Sequence, residues 1–289
     1  MDWIYQFPFQ LPLDLGEVDN AVKSFSVRFA WFFDILRDSI NSLIGAMQIM
    51  LNLIPWWLML LLIFIGGWKM SGKVRIGILY SAVMFLIGVF GMWSLMNETL
   101  AIVLAAVFIS VLLGFPLGVL ISGNERANNI MRPILDTMQT MPVFVYLIPA
   151  VLFFGLGKAP AVIATTIYAI VPMVRMTSHG IRQVDVEVVE ASKAFGSTDM
   201  QSLFKVQIPQ ALPTIMTGVN QTLMMAMSMV VTCSMIGASG LGMEVLVGVN
   251  RVEIGRGLVA GSAIVIVAIV MDRFTQGWIK KEGVTDDVK

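Results

Sequence analysis

Charge is what this sequence is shortest of. Only 13% of its 289 residues are Asp, Glu, Lys or Arg, about half the share of an ordinary soluble domain, while 57% are hydrophobic. The two signs balance to a formal charge of zero, so no basic surface points to nucleic acid as a partner. One cysteine, Cys233, lies in an apolar run, which excludes a disulfide framework within the chain and reads as a small packing residue. One histidine, His179, has no acidic or cysteine cluster near it in sequence, so neither a metal site nor a catalytic residue is expected, and it reads as an interfacial polar group. A GxxxxGK[ST] phosphate loop is missing as well, so this chain is not expected to hydrolyse ATP or to hold a cofactor. The first strongly apolar run starts past residue 40, and no cleavable signal peptide is expected.

What is present is long apolar sequence. Mean hydropathy is +0.83, and the apolar runs are continuous rather than alternating, which predicts an all-α membrane protein. Windows of about 20 residues, the length that crosses the hydrocarbon core, fall at roughly 50–68, 76–95, 100–122, 138–156, 159–176, 212–236 and 256–272. About seven transmembrane helices are therefore expected, the first carrying Pro55 near its start. One set of connections holds Lys69, Lys73, Arg75, Arg126, Arg132, Arg175, Arg182, Lys193, Lys205, Arg273, Lys280, Lys281 and Lys289. The opposite set holds Lys23, Arg28, Arg37, Lys158, Arg251 and Arg256. The first set is about twice the second, so it is cytosolic by the positive-inside rule, with the N-terminus outside and the C-terminus inside.

Before the first span, Val22, Phe25, Phe29, Phe32, Leu36, Ile40 and Leu43 recur at steps of three and four, giving one broad apolar face on a helix. Such a helix can lie in the outer membrane interface or pack on the other helices as a scaffold. The cores of the apolar windows hold mild polar groups and no ionisable residue of the kind that ion-coupled transporters keep in the membrane, with Arg175, Arg256 and Asp272 standing at window ends. Asn220, Gln221, Ser228 and Thr232, with Thr165, Thr166 and Tyr168, suit either helix–helix hydrogen bonds or the lining of a path. "GFPLG" sets Gly114 and Gly118 four apart around Pro116, where another backbone can approach closely. Pro142, Pro149, Pro160 and Pro172 are expected to kink or break the fourth and fifth spans.

The most regular cytosolic stretch is "VDVEVVEASKAFG". It reads as a helix on which Val186, Val189, Ala194 and Phe195 can share a face, and Gly196 is placed to end it. "STDMQSLFKV" restarts a helix, with Thr198 and Gln201 at capping-box spacing, and Pro209 and Pro213 bracket the return to the membrane. Two short helices meeting at a glycine make a rigid elbow in the cytosol, with Glu190 placed for a directed pairing. An ordinary helical connection is the plainer alternative.

"EASKAFGSTDMQSLFKVQIP" resembles the coupling motif of ABC importer permeases: Glu-Ala-Ala, three residues, Gly, nine residues, Ile-x-Leu-Pro. Glu190, Ala191, Gly196 and Pro209 match, Ser192 stands for the second alanine, Val206 for Ile and Ile208 for Leu. The resemblance implies that Glu190, Ala191, Ser192, Ala194, Phe195, Gly196, Ser197 and Pro209 dock in a cleft of a cytosolic ATPase, which binds the ATP and Mg. A narrower resemblance covers roughly residues 95–275. "DTMQTMPVFVYLIPAVLFFGLGKAP", "LFKVQIPQALPTIMTGVNQTLMMAMSMVV" and "GASGLGMEVL" are similar to permeases of the glycine betaine/proline, or quaternary-ammonium, importers. That similarity implies a type I importer fold, a permease homodimer, two ATPase subunits, an extracytoplasmic receptor and a place in a bacterial or archaeal cytoplasmic membrane. The chain ends about 16 residues after its last window, so the receptor is expected to be a separate polypeptide.

The expected organisation is an N-terminal tail (1–50), two first spans (51–95), a permease core (96–275) with coupling helices at 185–209, and a cytoplasmic tail (276–289). No tryptophan lies in the third to seventh windows, so the receptor is expected to supply most selectivity for a quaternary ammonium, which aromatic cages usually hold. Tyr146, Asn220, Gln221, Ser228, Ser239 and Gly240 are the candidate pathway or gate residues, with packing and a tight glycine turn as the alternatives. Import of another small solute such as an amino acid, choline or carnitine fits the same features. An ion-coupled carrier or channel fits less of them, and a structural scaffold leaves the coupling motif unexplained.

Overall fold

The computed structural model describes residues 15–283; the start of the expected N-terminal tail, with Trp3, and the end of the cytoplasmic tail, with Lys289, lie outside the described residues. Every regular element among the described residues is helical. In chain order the helices are Leu15–Arg28 (α1), Ala30–Leu53 (α2), Trp56–Ser71 (α3), Val74–Val89 (α4), Trp93–Ser122 (α5), Glu125–Thr140 (α6), Val143–Phe154 (α7), Lys158–Arg182 (α8), Val186–Ala194 (α9), Asp199–Ser202 (α10), Ile208–Ser228 (α11), Val230–Ser234 (α12), Leu241–Asn250 (α13) and Ile254–Gly283 (α14).

The apolar windows fall on helical sequence, but 76–95 runs from α4 into α5, 212–236 from α11 into α12, and two others straddle a sharp bend. Helices α2 and α3 meet at 88° across Ile54 and Pro55, and α6 and α7 meet at 90° across Met141 and Pro142. A residue before proline is pushed out of the α region, and Ile54 (ψ 112°) and Met141 (ψ 132°) are both extended there. Helices α5, α8 and α14 are long and apolar enough to cross a membrane unaided; counting each bent pair as one crossing gives five, and α4 and α13 are shorter apolar helices. Of the prolines expected to kink or break these spans, Pro142 stands at a break, while Pro149 and Pro172 lie inside α7 and α8 and Pro160 in the first turn of α8. A proline in a first turn gives up an N–H that has no intrahelical partner anyway.

The core is a sandwich of α5, α8 and α11, with α8 in the middle. Its packing surface is made of small residues. Ala101, Ala105, Ala106 and Ser110 of α5 and Ala161, Ala164 and Ala169 of α8 are fully or almost fully buried. The close approach expected at "GFPLG" is present: a Cβ on Gly118 would sit 2.5 Å from Cβ of Thr177 and 2.8 Å from the Val174 carbonyl oxygen. On the other side of α8, a Cβ on Gly218 of α11 would lie 2.7 Å from Cβ of Met176. Without a hydrophobic driving force in lipid, such backbone proximity is what holds helices together.

The amphipathic run splits at Phe29 between α1 and α2. Its C-terminal half buries Ile40, Ile44 and Leu51 in the main core, and Phe33 stacks on Phe153 of α7 at 4.7 Å. Phe25 of α1 and Trp31, Phe32 and Ile35 in the first turns of α2 stay exposed, so one helical run both packs and presents an apolar surface.

The apolar windows understate the charge carried by the helices. Glu98 lies in the second turn of α5, Lys158 opens α8, and Asp272 sits well inside α14. Helix α5 begins about two turns before its apolar window and takes in Glu98, α8 opens one residue before its window at Lys158, and Asp272 closes its window while α14 runs on.

Gly118→Val is expected to force α5 off α8, where the nearest atoms include backbone that cannot yield, and to destabilise the fold by about 1–3 kcal/mol. Thermal unfolding in detergent reads the effect. Gly123→Ala, at a position with nothing within 4 Å, should leave the midpoint unchanged.

Candidate functional site

Helix α9 starts at Asp185, whose side chain accepts the Glu187 N–H at 2.9 Å, and ends at Gly196, which takes φ +86°. A residue with a Cβ is disfavoured there, so the glycine is what turns the chain. Thr198 and Gln201 form the expected capping box: the Gln201 N–H donates to Thr198 Oγ1 at 3.3 Å, and the Thr198 N–H to Gln201 Oε1 at 3.0 Å. The second arm is not a separate short helix. Helix α10 passes through a π-turn at Leu203–Gln207 straight into α11. Pro209 explains the wider turn, because it has no N–H for the Lys205 carbonyl and its ring crowds that oxygen. π-turns inside helices recur at functional positions.

Two side-chain links close the elbow. Ser192 and Ser202 hydroxyls lie 2.8 Å apart, with Ser202 fully buried, and Lys193 Nζ sits 2.8 Å from Asp199 Oδ1. Ser192, the departure from the alanine motif, therefore has a structural use of its own. The Lys193 ammonium, hydrogen-bonded to Asp199, holds that carboxyl below the ordinary carboxylate range.

The elbow exposes several large apolar side chains among its charged ones. Phe195 is 92% exposed, Val186 66% and Met200 64%, and Phe204 is exposed as well. Glu190, Ala191, Ala194, Gly196 and Pro209 are also exposed, while Ser192 and Ser197 are half-buried. α9 buries none of its residues in the rest of the chain. Phe195 is the most exposed large hydrophobic side chain among the described residues.

A second cluster lies at the opposite ends of the same helices. Glu98 Oε1 is 2.5 Å from Lys158 Nζ and accepts the Ser239 hydroxyl at 2.5 Å. Thr99 Oγ1 accepts the Leu241 N–H at 2.8 Å, and the Gly157 N–H donates to the Ile236 carbonyl at 2.9 Å. Gly240 takes φ +112° against this wall, where a Cβ would lie 2.4 Å from Thr99 Oγ1. The "GASGLG" turn is thus fastened to the starts of α5 and α8. Reading the spans as charge-free missed Glu98 and Lys158; the available signal was two opposite charges, each placed just before an apolar window on the same side.

The remaining candidates do not converge. Tyr146 is buried and donates its hydroxyl to the Met138 carbonyl, tying α7 to α6 across their bend. Asn220 Nδ2 donates to Asp272 Oδ1 at 2.9 Å, joining α11 to α14, and Gln276 donates to the same carboxylate at 2.8 Å. Gln221 and Ser228 lie on an exposed stripe of α11, and the Ser228 hydroxyl bonds its own helix at Met225. Thr165 lies 3.2 Å from Cys233 Sγ, a contact between α8 and α12. Among the described residues no group of His, Cys, Asp and Glu could hold a metal ion.

The profile of the binding-protein-dependent transport system inner membrane component family matches residues 110–280. The glycine betaine/carnitine transport permease protein of Listeria monocytogenes is 46% identical over 91% of this chain and 94% of its own length. The glycine betaine/proline betaine permease protein of Escherichia coli is 42% identical over 92% of this chain and 75% of its own. The glycine betaine permease protein of Bacillus subtilis is 44% identical over 90% and 92%. Among solved structures, a chain of the inward-facing MetNI methionine ABC transporter superposes with a TM-score of 0.59 at 23% identity, over 69% of this chain and 97% of that one. The fold is that of an ABC importer membrane domain.

Glu98→Gln keeps an acceptor for Ser239 but drops the ion pair to a half-exposed Lys158. That loss is expected to weaken the turn's attachment by about 1 kcal/mol. Hydrogen exchange of amides 239–243 should then accelerate about fivefold; unchanged exchange would contradict the fastening role.

Proposed function

The chain belongs to the family of binding-protein-dependent transport system inner membrane components, and from that premise we propose that it is the membrane-spanning permease subunit of an ATP-driven importer for glycine betaine and related compatible solutes. The exposed elbow at 186–204 carries the reading. Its closed, capped arms leave Phe195, Val186 and Met200 exposed within and beside the coupling motif. An ATPase cleft is the occupant that the family's mechanism requires.

In this reading two copies of the permease stand side by side, each elbow held by one of two ATPase subunits, which bind the ATP and Mg. An extracytoplasmic receptor delivers the solute as a separate protein. The setting is a bacterial or archaeal cytoplasmic membrane with the elbow in the cytosol, the side that the Lys and Arg bias assigns to it. Closure of the ATPases around ATP displaces both elbows. Because α8 leads into the elbow and α11 leads out of it, these two helices move with it. The fastened turn at 237–240 lies at their far ends, where the path opens to the receptor. Glycine betaine is supported by three relatives whose names include it, each covering most of this chain.

Phe195→Asp alters an almost fully exposed side chain, so folding and insertion should match the parent. A lost interface anchor of this kind is worth about 2 kcal/mol or more. ATP-driven uptake of radiolabelled glycine betaine in proteoliposomes carrying the whole transporter is therefore expected to fall at least about tenfold. Gly196→Pro, which cannot take φ +86°, should abolish uptake while the chain still inserts. Parental uptake by both variants would overturn the docking assignment.

A further inference from the structure

A cavity of about 650 Å³ opens between the end of α5, helix α6 and the last two turns of α8. That volume lies within the range of about 300–1,000 Å³ usual for small-molecule sites. None of the residues assigned above to docking or to the 237–240 turn lines it. Its polar wall is rich in basic side chains, with Arg132 from α6 and Arg175 and Arg182 from α8, beside Asn128, Asn129 and His179.

Two of the three arginines have carboxylates of their own. Arg175 pairs with Asp136, which also lines the cavity, and Arg182 lies 3.7 Å from Glu125 outside it. Arg132 makes no ion pair among the described residues. Positive charge is therefore in excess around the space.

A second observation comes from the wall itself. Ser178 is only 4% exposed, lines the cavity, and its hydroxyl has no hydrogen-bond partner. Buried polar groups are almost always satisfied, so an orphan hydroxyl beside a cationic cavity points to an acceptor that the structure does not contain. Its donor and the guanidinium groups call for the same ligand: an anion with several oxygens, able to take arginine's paired N–H groups and a hydroxyl together.

We propose that this cavity binds a phosphate-type oxyanion, held by Arg132 and Arg175 and by the Ser178 hydroxyl. The charge bias puts α6 and the end of α8 at the cytosolic interface, and Ile130 and Ile134 are exposed one turn apart on α6. The oxyanion can thus come from an anionic lipid headgroup, with its chains against those isoleucines, or from free phosphate in the cytosol.

The test uses the purified full-length chain and its Arg132→Gln and Ser178→Ala variants, checked by thermal unfolding. In one arm the proteins are equilibrated with phosphatidylcholine vesicles containing phosphatidylglycerol, and retained lipid is read by native mass spectrometry. In the other, inorganic phosphate is titrated calorimetrically. Each substitution removes a hydrogen bond to a charged group and should weaken binding about tenfold. Selective retention of phosphatidylglycerol that is lost in the variants supports the site with a lipid source. Saturable phosphate binding that is lost in the variants, without lipid selectivity, supports it with a soluble source. Binding in neither arm, or equal binding by the folded variants and the parent, overturns the proposal.

Discussion

Backbone-to-backbone proximity of α8 with its two neighbours is the constraint on which the rest of the structure depends. Gly118 brings α5 against Val174 and Thr177, and Gly218 brings α11 against Met176 and Pro172. Apolar burial alone cannot hold such helices in lipid, because lipid chains are as apolar as leucine; dense contact between small residues does so instead. Contact this close also transmits displacement, since neither neighbour can shift far without meeting backbone atoms. Helices α8 and α11 are the two that the elbow joins, so the core and the exposed surface form one mechanical unit.

The polar groups follow the same economy. Two of the charges carried into the apolar elements meet partners at junctions between helices. Glu98 meets Lys158 and Ser239 between α5, α8 and the glycine turn, and Asp272 meets Asn220 between α11 and α14. Where few competing interactions exist, a single pair can define how two helices sit. The elbow shows the opposite arrangement, with its polar bonds spent internally on the cap and the Ser192–Ser202 contact and its apolar side chains left open.

Much of this was legible in the sequence for identifiable reasons. The helical class, the glycine approach at "GFPLG", the turn at Gly196 and the Thr198–Gln201 cap are each fixed by residues within a few positions of one another. The bends at Pro55 and Pro142 were only half legible. Proline restricts its own backbone and that of its predecessor locally, but whether a helix resumes in line or at right angles depends on its packing. That is why Pro142 breaks a helix while Pro149 and Pro172 do not. The Glu98–Lys158 pair and the Asn220–Asp272 bond join residues 60 and 52 positions apart, and nothing local announces them. Asp272 was discounted for a simpler reason, since it stands at the edge of an apolar window while its helix runs on.

The central claim is that this chain is driven by an ATPase that grips its elbow. Co-purification tests it most directly: the tagged chain is extracted from its native membranes in mild detergent, and the bound proteins are identified by mass spectrometry. The account predicts recovery of an ATPase carrying the phosphate loop that this chain lacks, together with a solute receptor that binds glycine betaine. A chain recovered without any ATPase, under conditions that keep other ATPase–permease complexes intact, would contradict it.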